Sequence, residues 1–175
     1  MNFNVIRDPD TQKVVSVAQW SSHPEEPPCS QETPEEVEER QSFEDEVYRR
    51  SLPQGSNKDL IMEFTIGLRN LRQQVLQGRK HYMLENLATH PNHRRKGLAS
   101  HLVQWIVSQA DGGNALVYLD TASDNFPAIS MYNQLGFAEQ GRHTISDNSR
   151  FAGKQEIESI GGFLEHTHIA FIKYR

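Results

Sequence analysis

The sequence predicts an α/β chain built on a mixed β-sheet. Three observations predict it. Strand-like and helix-like segments alternate through the middle of the chain, from His81 to Leu135. A hairpin pattern opens the chain, and two strand-like runs, Phe137–Ser146 and His168–Tyr174, close it around a glycine-containing loop. Alternation favours parallel neighbours and hairpins favour antiparallel ones, so one sheet carries both.

The elements follow in order. Phe3–Ile6 and Val14–Ala18 flank Asp8-Pro9-Asp10-Thr11, a turn-forming break, and read as a hairpin. Leu60, Phe64, Leu68, Leu71 and Val75 recur at helical spacing, with Asp59 near the start and Gly78 at the end. His81–Thr89 is short, apolar and aromatic, and Pro91 ends it as a strand. Leu98, Leu102, Trp105 and Ile106 line one face of a helix over Arg94–Ala110, which Asp111-Gly112-Gly113 stops. Ala115–Leu119 is a continuous apolar run of the kind that forms a buried parallel strand. Pro127–Leu135 is a helix with proline in its first turn and Gly136 just beyond its end.

Length and composition bound the function. At 175 residues the chain is expected to be one domain, residues 1–175. Its mean hydropathy of -0.68 and the absence of a long apolar run argue against a membrane span. A single cysteine, Cys29, forms no internal disulfide, and the start of the chain shows no basic-then-apolar leader. An intracellular location, cytoplasm or nucleus, is the expectation. Glu25–Glu46 holds ten acidic residues and one basic one, so the remainder, with 13 acidic and 17 basic residues, is mildly positive. A mildly basic body suits an anionic cofactor, and it is too weak a footprint for nucleic acid. The stretch 21–46 is rich in Pro, Glu and Ser and is expected to be a disordered acidic insertion, with a helical tendency over Thr33–Tyr48.

One segment carries chemistry. In Leu87-Ala88-Thr89-His90-Pro91-Asn92-His93-Arg94-Arg95-Lys96-Gly97-Leu98-Ala99-Ser100 a strand ends, a basic loop turns and a helix begins. The unpaired N–H groups of a helix start point outward, and the helix dipole adds partial positive charge there. Gly97 has no Cβ and Ala99 a minimal one, so an anion can approach the backbone, with Arg94, Arg95 and Lys96 beside it. This is the physics of a pyrophosphate site. It is neither a Walker loop nor a Rossmann fingerprint.

Arg94-Arg95-Lys96-Gly97-Leu98-Ala99 resembles the Arg/Gln-x-x-Gly-x-Gly/Ala signature of the GNAT superfamily of acyl-CoA-dependent N-acyltransferases. Asn125-x-x-Ala128-x-x-x-Tyr132-x-x-x-Gly136-Phe137 is similar to the second signature of that family, at the expected distance. The resemblance covers Phe3–Ala18 and Asp59–Arg175. It implies a GNAT-type sheet with two central splayed parallel strands, here His81–Thr89 and Ala115–Asp120, flanked by helices. It also implies acetyl-CoA as cosubstrate, with its pantetheine between those strands along Leu87, Ala88 and Thr89. The N–H groups of Arg95–Ser100 would hold the pyrophosphate, and Asn125, Ala128 and Tyr132 would lie near the thioester. Members of the family usually begin with a strand and one or two helices that wall the acceptor site, whereas here the hairpin starts at residue 3. A shortened start, a wall supplied by the acidic stretch, and an incomplete fold are the three readings of that departure.

The activity so implied is direct transfer of an acetyl group to a primary amine, carried by a small molecule or a lysine side chain, in a monomer or homodimer. The alternative is a CoA-binding or interaction module derived from a truncated acetyltransferase. Tyr132 is the expected general acid for the departing thiolate, against a packing role beside Ala128, Met131 and Leu135. Glu85, placed by alternation on the face of Met83 and Leu87, is the expected base. An alkyl amine of pKa about 10.4 is neutral in only about one molecule in 10³ near pH 7, so a base there is useful. His166-Thr167-His168 has a metal-like spacing but no third ligand, so no metal is expected. His90 and His93 read as surface residues, and Asp120 as a cap for the loop that follows it.

Overall fold

The structure is a computed structural model, and it describes residues 1–25, 32–146, 151 and 165–174. Strands β1 (Asn2–Arg7) and β2 (Val14–His23) form the opening hairpin, followed by helices α1 (Pro34–Ser51) and α2 (Lys58–Leu76). Then come β3 (His81–Thr89), a 3₁₀ turn at Pro91–His93, and α3 (Leu98–Gly112). The chain continues through β4 (Leu116–Ala122), α4 (Phe126–Gln134), β5 (Ala138–Ile145) and β6 (His166–Lys173). The six strands make one sheet in the order β1-β2-β3-β4-β6-β5, with β3 and β4 parallel and the other neighbours antiparallel. The mixed sheet expected from the sequence is the sheet observed.

The central parallel pair is short. Its register is His81↔Leu116, Tyr82↔Val117 and Met83↔Tyr118, and there it stops. Each strand continues against its outer neighbour instead, β3 to Thr89↔Ser16 on β2 and β4 to Ala122↔His168 on β6. A bulge explains the parting. The β2 residues Gln19 and Trp20 oppose Asn86 and Leu84, which leaves Glu85 as the extra residue. A bulge bends its strand and increases the local twist. The bend turns β3 away from β4 and opens a gap at the centre of the sheet.

Helices cover the sheet on both faces. On one, Leu102, Val103, Ile106 and Ala110 of α3 and Tyr132 of α4 bury against Ala18, Trp20, Leu84, Val117, Leu119 and Phe171. Each fully buried large apolar side chain there contributes about 1.5–3 kcal/mol. Trp105 is not part of this face as the periodicity suggests: it is 42% exposed and meets Trp20 edge-on at 5.0 Å. On the other face, Leu71, Val75 and Leu76 of α2 bury against Met83, Tyr118, Ala170 and Ile172. Gly67 lets α2 come close to β5, since a Cβ there would fall 2.0 Å from the His143 ring.

Composition implies disorder over 21–46 with a helical tendency over Thr33–Tyr48, and the structure departs from the disorder at Ser21–His23 while forming a full helix where the tendency lay. Ser21–His23 complete β2, paired with β3 to His23↔His81. From Pro34 the chain is helical, started by a capping box in which Thr33 and Glu36 satisfy each other's backbone N–H. Two such bonds relieve orphan donors, and Glu35 and Glu36 complement the dipole, so local terms suffice to set this helix. Ion pairs add to it along its surface, Arg40 with Glu44 at 3.2 Å and Arg50 with Glu46. Residues 26–31 lie outside the described residues. Helix α1 buries none of its side chains. It is tied to α2 by the Arg69 guanidinium, which donates to both Asp45 oxygens at 2.6 and 2.7 Å. The wall over the second face of the sheet is therefore α2, not the acidic stretch.

Candidate active site

Where β3 and β4 part, the gap opens beneath α3 and α4 as a cleft of about 880 Å³. Leu87, Ala88 and Thr89 form its β3 wall. The turn into α3 adds His93, Arg94, Arg95 and Gly97, and the helix start adds Leu98, Ala99 and Ser100. The opposite wall is α4, with Asn125, Ala128, Met131 and Tyr132. Nearly all the cofactor residues expected from the sequence thus converge on one cleft. Lys96 is exposed on the same turn and does not line it, and Glu85 lies elsewhere.

The turn is shaped for an anion. The helix begins at Leu98, not at Arg94 as periodicity suggests, because Arg95 (φ 61°) and Gly97 (φ 75°) both adopt the left-handed region. Residues of that kind next to right-handed ones point successive N–H groups into a shared concavity. Gly97 caps α3 without any side-chain bond to the free donors of the first turn. A Cβ at Gly97 would meet nothing within 4 Å, so the space before these donors is open. Arg94 Nε donates to the Thr89 carbonyl at 3.3 Å and holds the turn to the strand end.

On α4, Asn125 Nδ2 donates to Thr121 Oγ1 at 3.1 Å, which fixes the helix start against β4. The Tyr132 ring is buried, 5.8 Å from Phe137 and 6.2 Å from Phe171. Burial, then the Asp120 carboxylate, push its phenol from 10.0 up to about 12. Tyr118 is raised for the same two reasons, burial first and Asp120 second. An acid raised on folding favours the folded state fully below its unfolded value, and that advantage is lost as pH climbs through the folded one. Stability should therefore fall between pH 10 and 12, by about 3 kcal/mol for a two-unit shift at Tyr132. Urea midpoints measured from pH 9 to 12 check this. The decline should be shallower in Tyr132→Phe, and an identical alkaline limb in that variant would contradict a desolvated phenol.

Glu85 is the extra residue of the bulge, and its surroundings differ from simple alternation. Met83 is buried beneath α2 while Leu87 lies against the α3 core, because the bulge resets the phase between them. Ser21 Oγ donates to Glu85 Oε1 at 2.7 Å, and the same hydroxyl lies 2.8 Å from His23 Nε2. The His23 ring stacks on His81 at 4.6 Å. Ser21 pairs with Met83, so Glu85 is held on the α2 side of the sheet, opposite the cleft. Asp120 is not a loop cap: its carboxylate accepts from His168 Nδ1 at 3.2 Å. The sequence marks a strand over His168–Tyr174 but carries no sign that it lies beside β4. That pairing, and the His168–Asp120 contact with it, could not be read from the sequence. Among the described residues, no group of three His, Cys, Asp or Glu side chains is arranged to hold a metal ion. Nor is any described helix long and apolar enough to cross a membrane.

The Acetyltransferase (GNAT) family model matches residues 15–137, from β2 to just beyond α4. The chain belongs to the GNAT acetyltransferase family. The matched span of this GNAT chain contains both walls of the cleft. N-acetyltransferase family 8 member 2 of Rattus norvegicus is 35% identical over 77 residues, which are 43% of this chain and 34% of that protein. The chain thus spans about a third of that relative's length. The crystal structure of a mutant agmatine N-acetyltransferase in its apo form shares the fold with a TM-score of 0.61 at 12% identity, covering 94% of this chain and 73% of the other. Chaetomium thermophilum Naa20, solved with a bisubstrate analogue, shares it with a TM-score of 0.55 at 15% identity, covering 98% and 64%.

Proposed function

We propose that this GNAT chain transfers the acetyl group of acetyl-CoA to a primary amine by direct attack. The observation that supports it most is the cleft, where an open, donor-rich helix start and a strand edge without a ladder partner line one gap. Beyond Met83, among the described residues, no strand lies beside the β4-facing edge of β3, so the backbone near Leu87 and Thr89 can pair with the amides of a pantetheine. The N–H groups of Arg95–Ser100 then bind the pyrophosphate, with Arg94, Arg95 and Lys96 supplying charge.

Tyr132 serves as the acid. A phenol at about 12 keeps its proton throughout the neutral range. A thiolate expelled into the same dry gap is destabilised by the same loss of water, which brings donor and acceptor closer to balance. Glu85, the base expected from the sequence, is held by the Ser21 hydroxyl on the α2 side of the sheet, where its carboxylate favours the approach of a cationic amine. Positioning supplies much of the acceleration in such a direct transfer, since two bound reactants lose little further entropy.

The test is thiol release from acetyl-CoA with a panel of alkyl amines, polyamines and lysine peptides. Amine-dependent release, with the acetylated amine identified by mass, is expected. Tight acetyl-CoA binding with no release for any amine would favour the CoA-binding module instead.

A further inference from the structure

On the α2 side of the sheet, three elements bring polar groups to the point where β3 and β4 part. Strand β4 supplies Asp120, two residues past Tyr118, the last β4 residue paired with β3. Strand β6 supplies His166 and His168, whose rings lie 5.1 Å apart. Helix α2 lays Phe64 over both, 4.8 Å from the His168 ring and edge-on to it, and 6.0 Å from His166. Asp120 and His168 are each only 16% exposed, and 3.2 Å separates Oδ1 from Nδ1.

A carboxylate can only accept, so the shared proton is on Nδ1 and the lone pair of His168 is on Nε2. A carboxylate that fixes the tautomer and orientation of an imidazole in this way prepares it to act as a base. The other groups facing His168 are His143, directly across on β5, and His166 on its own strand, while α2 presents the uncharged Phe64. His166 is held below its ordinary value by loss of water and then by His168, with Asp124 opposing. The charge of Asp120 is also felt by the Tyr132 phenol, which reaches the gap from the opposite face. The pair lies on the α2 face of the sheet and the phenol on the cleft face, close enough for Asp120 to act on Tyr132.

We propose that His168, oriented by Asp120, is the group that removes the proton from the acceptor ammonium. This rests on the acetyl-transfer reading, and it leaves to Glu85 the attraction of the cationic acceptor. His168 Nε2 takes one of the three ammonium protons and passes it to water. The freed lone pair forms the C–N bond to the thioester carbon as the C–S bond breaks. Tyr132 gives its proton to the sulfur and is reprotonated from solvent, which receives the second nitrogen proton. The third proton stays on the amide, and one proton is released per turnover.

His168→Asn keeps a donor for Asp120 and removes Nε2. With an alkyl amine that the wild-type chain acetylates, kcat/KM at pH 7 should fall by about 10²–10⁴. The deficit should shrink as pH rises and the free amine becomes more abundant, and added imidazole should restore part of the rate. Acetyl-CoA affinity should not change, because His168 lies outside the cofactor cleft; if it does, His168→Gln replaces the first variant. Asp120→Asn should show a smaller loss of the same pH dependence. Intact kcat/KM in His168→Asn overturns the inference alone, as does a loss equal at every pH and untouched by imidazole. No thiol release by the wild-type chain with any amine overturns the acetyl-transfer reading and this inference with it.

Discussion

Gly97→Glu is expected to abolish acetyl-CoA binding, weakening it by at least about 100-fold in calorimetry, while the circular dichroism of the fold is retained. Three effects act together. A side chain at φ 75° strains the turn by about 1–2 kcal/mol. The added carboxylate repels the pyrophosphate, and it can itself occupy the free N–H donors at the start of α3, because nothing lies within 4 Å of that Cβ. Gly97→Asn separates strain from charge, since asparagine tolerates the left-handed region and is neutral, and it should cost much less. Unchanged affinity in a folded Gly97→Glu protein would remove the pyrophosphate from this turn.

Tyr132→Phe should lower kcat by about 10²–10⁴ with little change in acetyl-CoA affinity. The ring stays between Phe137 and Phe171, so packing is preserved and only the hydroxyl is lost. Transfer at an undiminished rate would leave Tyr132 as a packing residue, one reading its place beside Met131 and Leu135 also allows. The comparison must use one amine at saturating acetyl-CoA, so that binding and chemistry separate.

Much of the cleft was legible in the sequence because it depends on local rules. Gly97 and Ala99 at a helix start, Pro91 at a strand end, and Asn125 with Pro127 at the next helix all act within a few residues of themselves. The α2 face of the sheet was not, because it depends on pairings distant in sequence. The bulge at Glu85 exists only as a mismatch between β2 and β3, and it puts Leu87 on the face opposite Met83 and Glu85. Asp120 and His168 meet because β6 returns beside β4, 48 residues later. Helix α1 was legible only as a tendency over Thr33–Tyr48, for a different reason. Its composition buries nothing, so hydrophobic periodicity is silent, while Thr33, Glu36 and the Asp45–Arg69 contact carry the order. Helix α2 was visible from its apolar spacing, but its role as the wall opposite the cleft follows only from the sheet order.

The central claim is that acetyl-CoA lies in the gap between β3 and β4 with its pyrophosphate on the first turn of α3. Amide NMR of the chain titrated with acetyl-CoA tests it most directly. The largest shifts are expected at Thr89, Arg95, Lys96, Gly97, Ala99 and Ser100, with a second group on α4 around Asn125 and Tyr132. Shifts concentrated instead around the hollow of about 560 Å³ between α2 and β5, at Gly67, Asn70 and His143, with the turn at Gly97 unmoved, would contradict it.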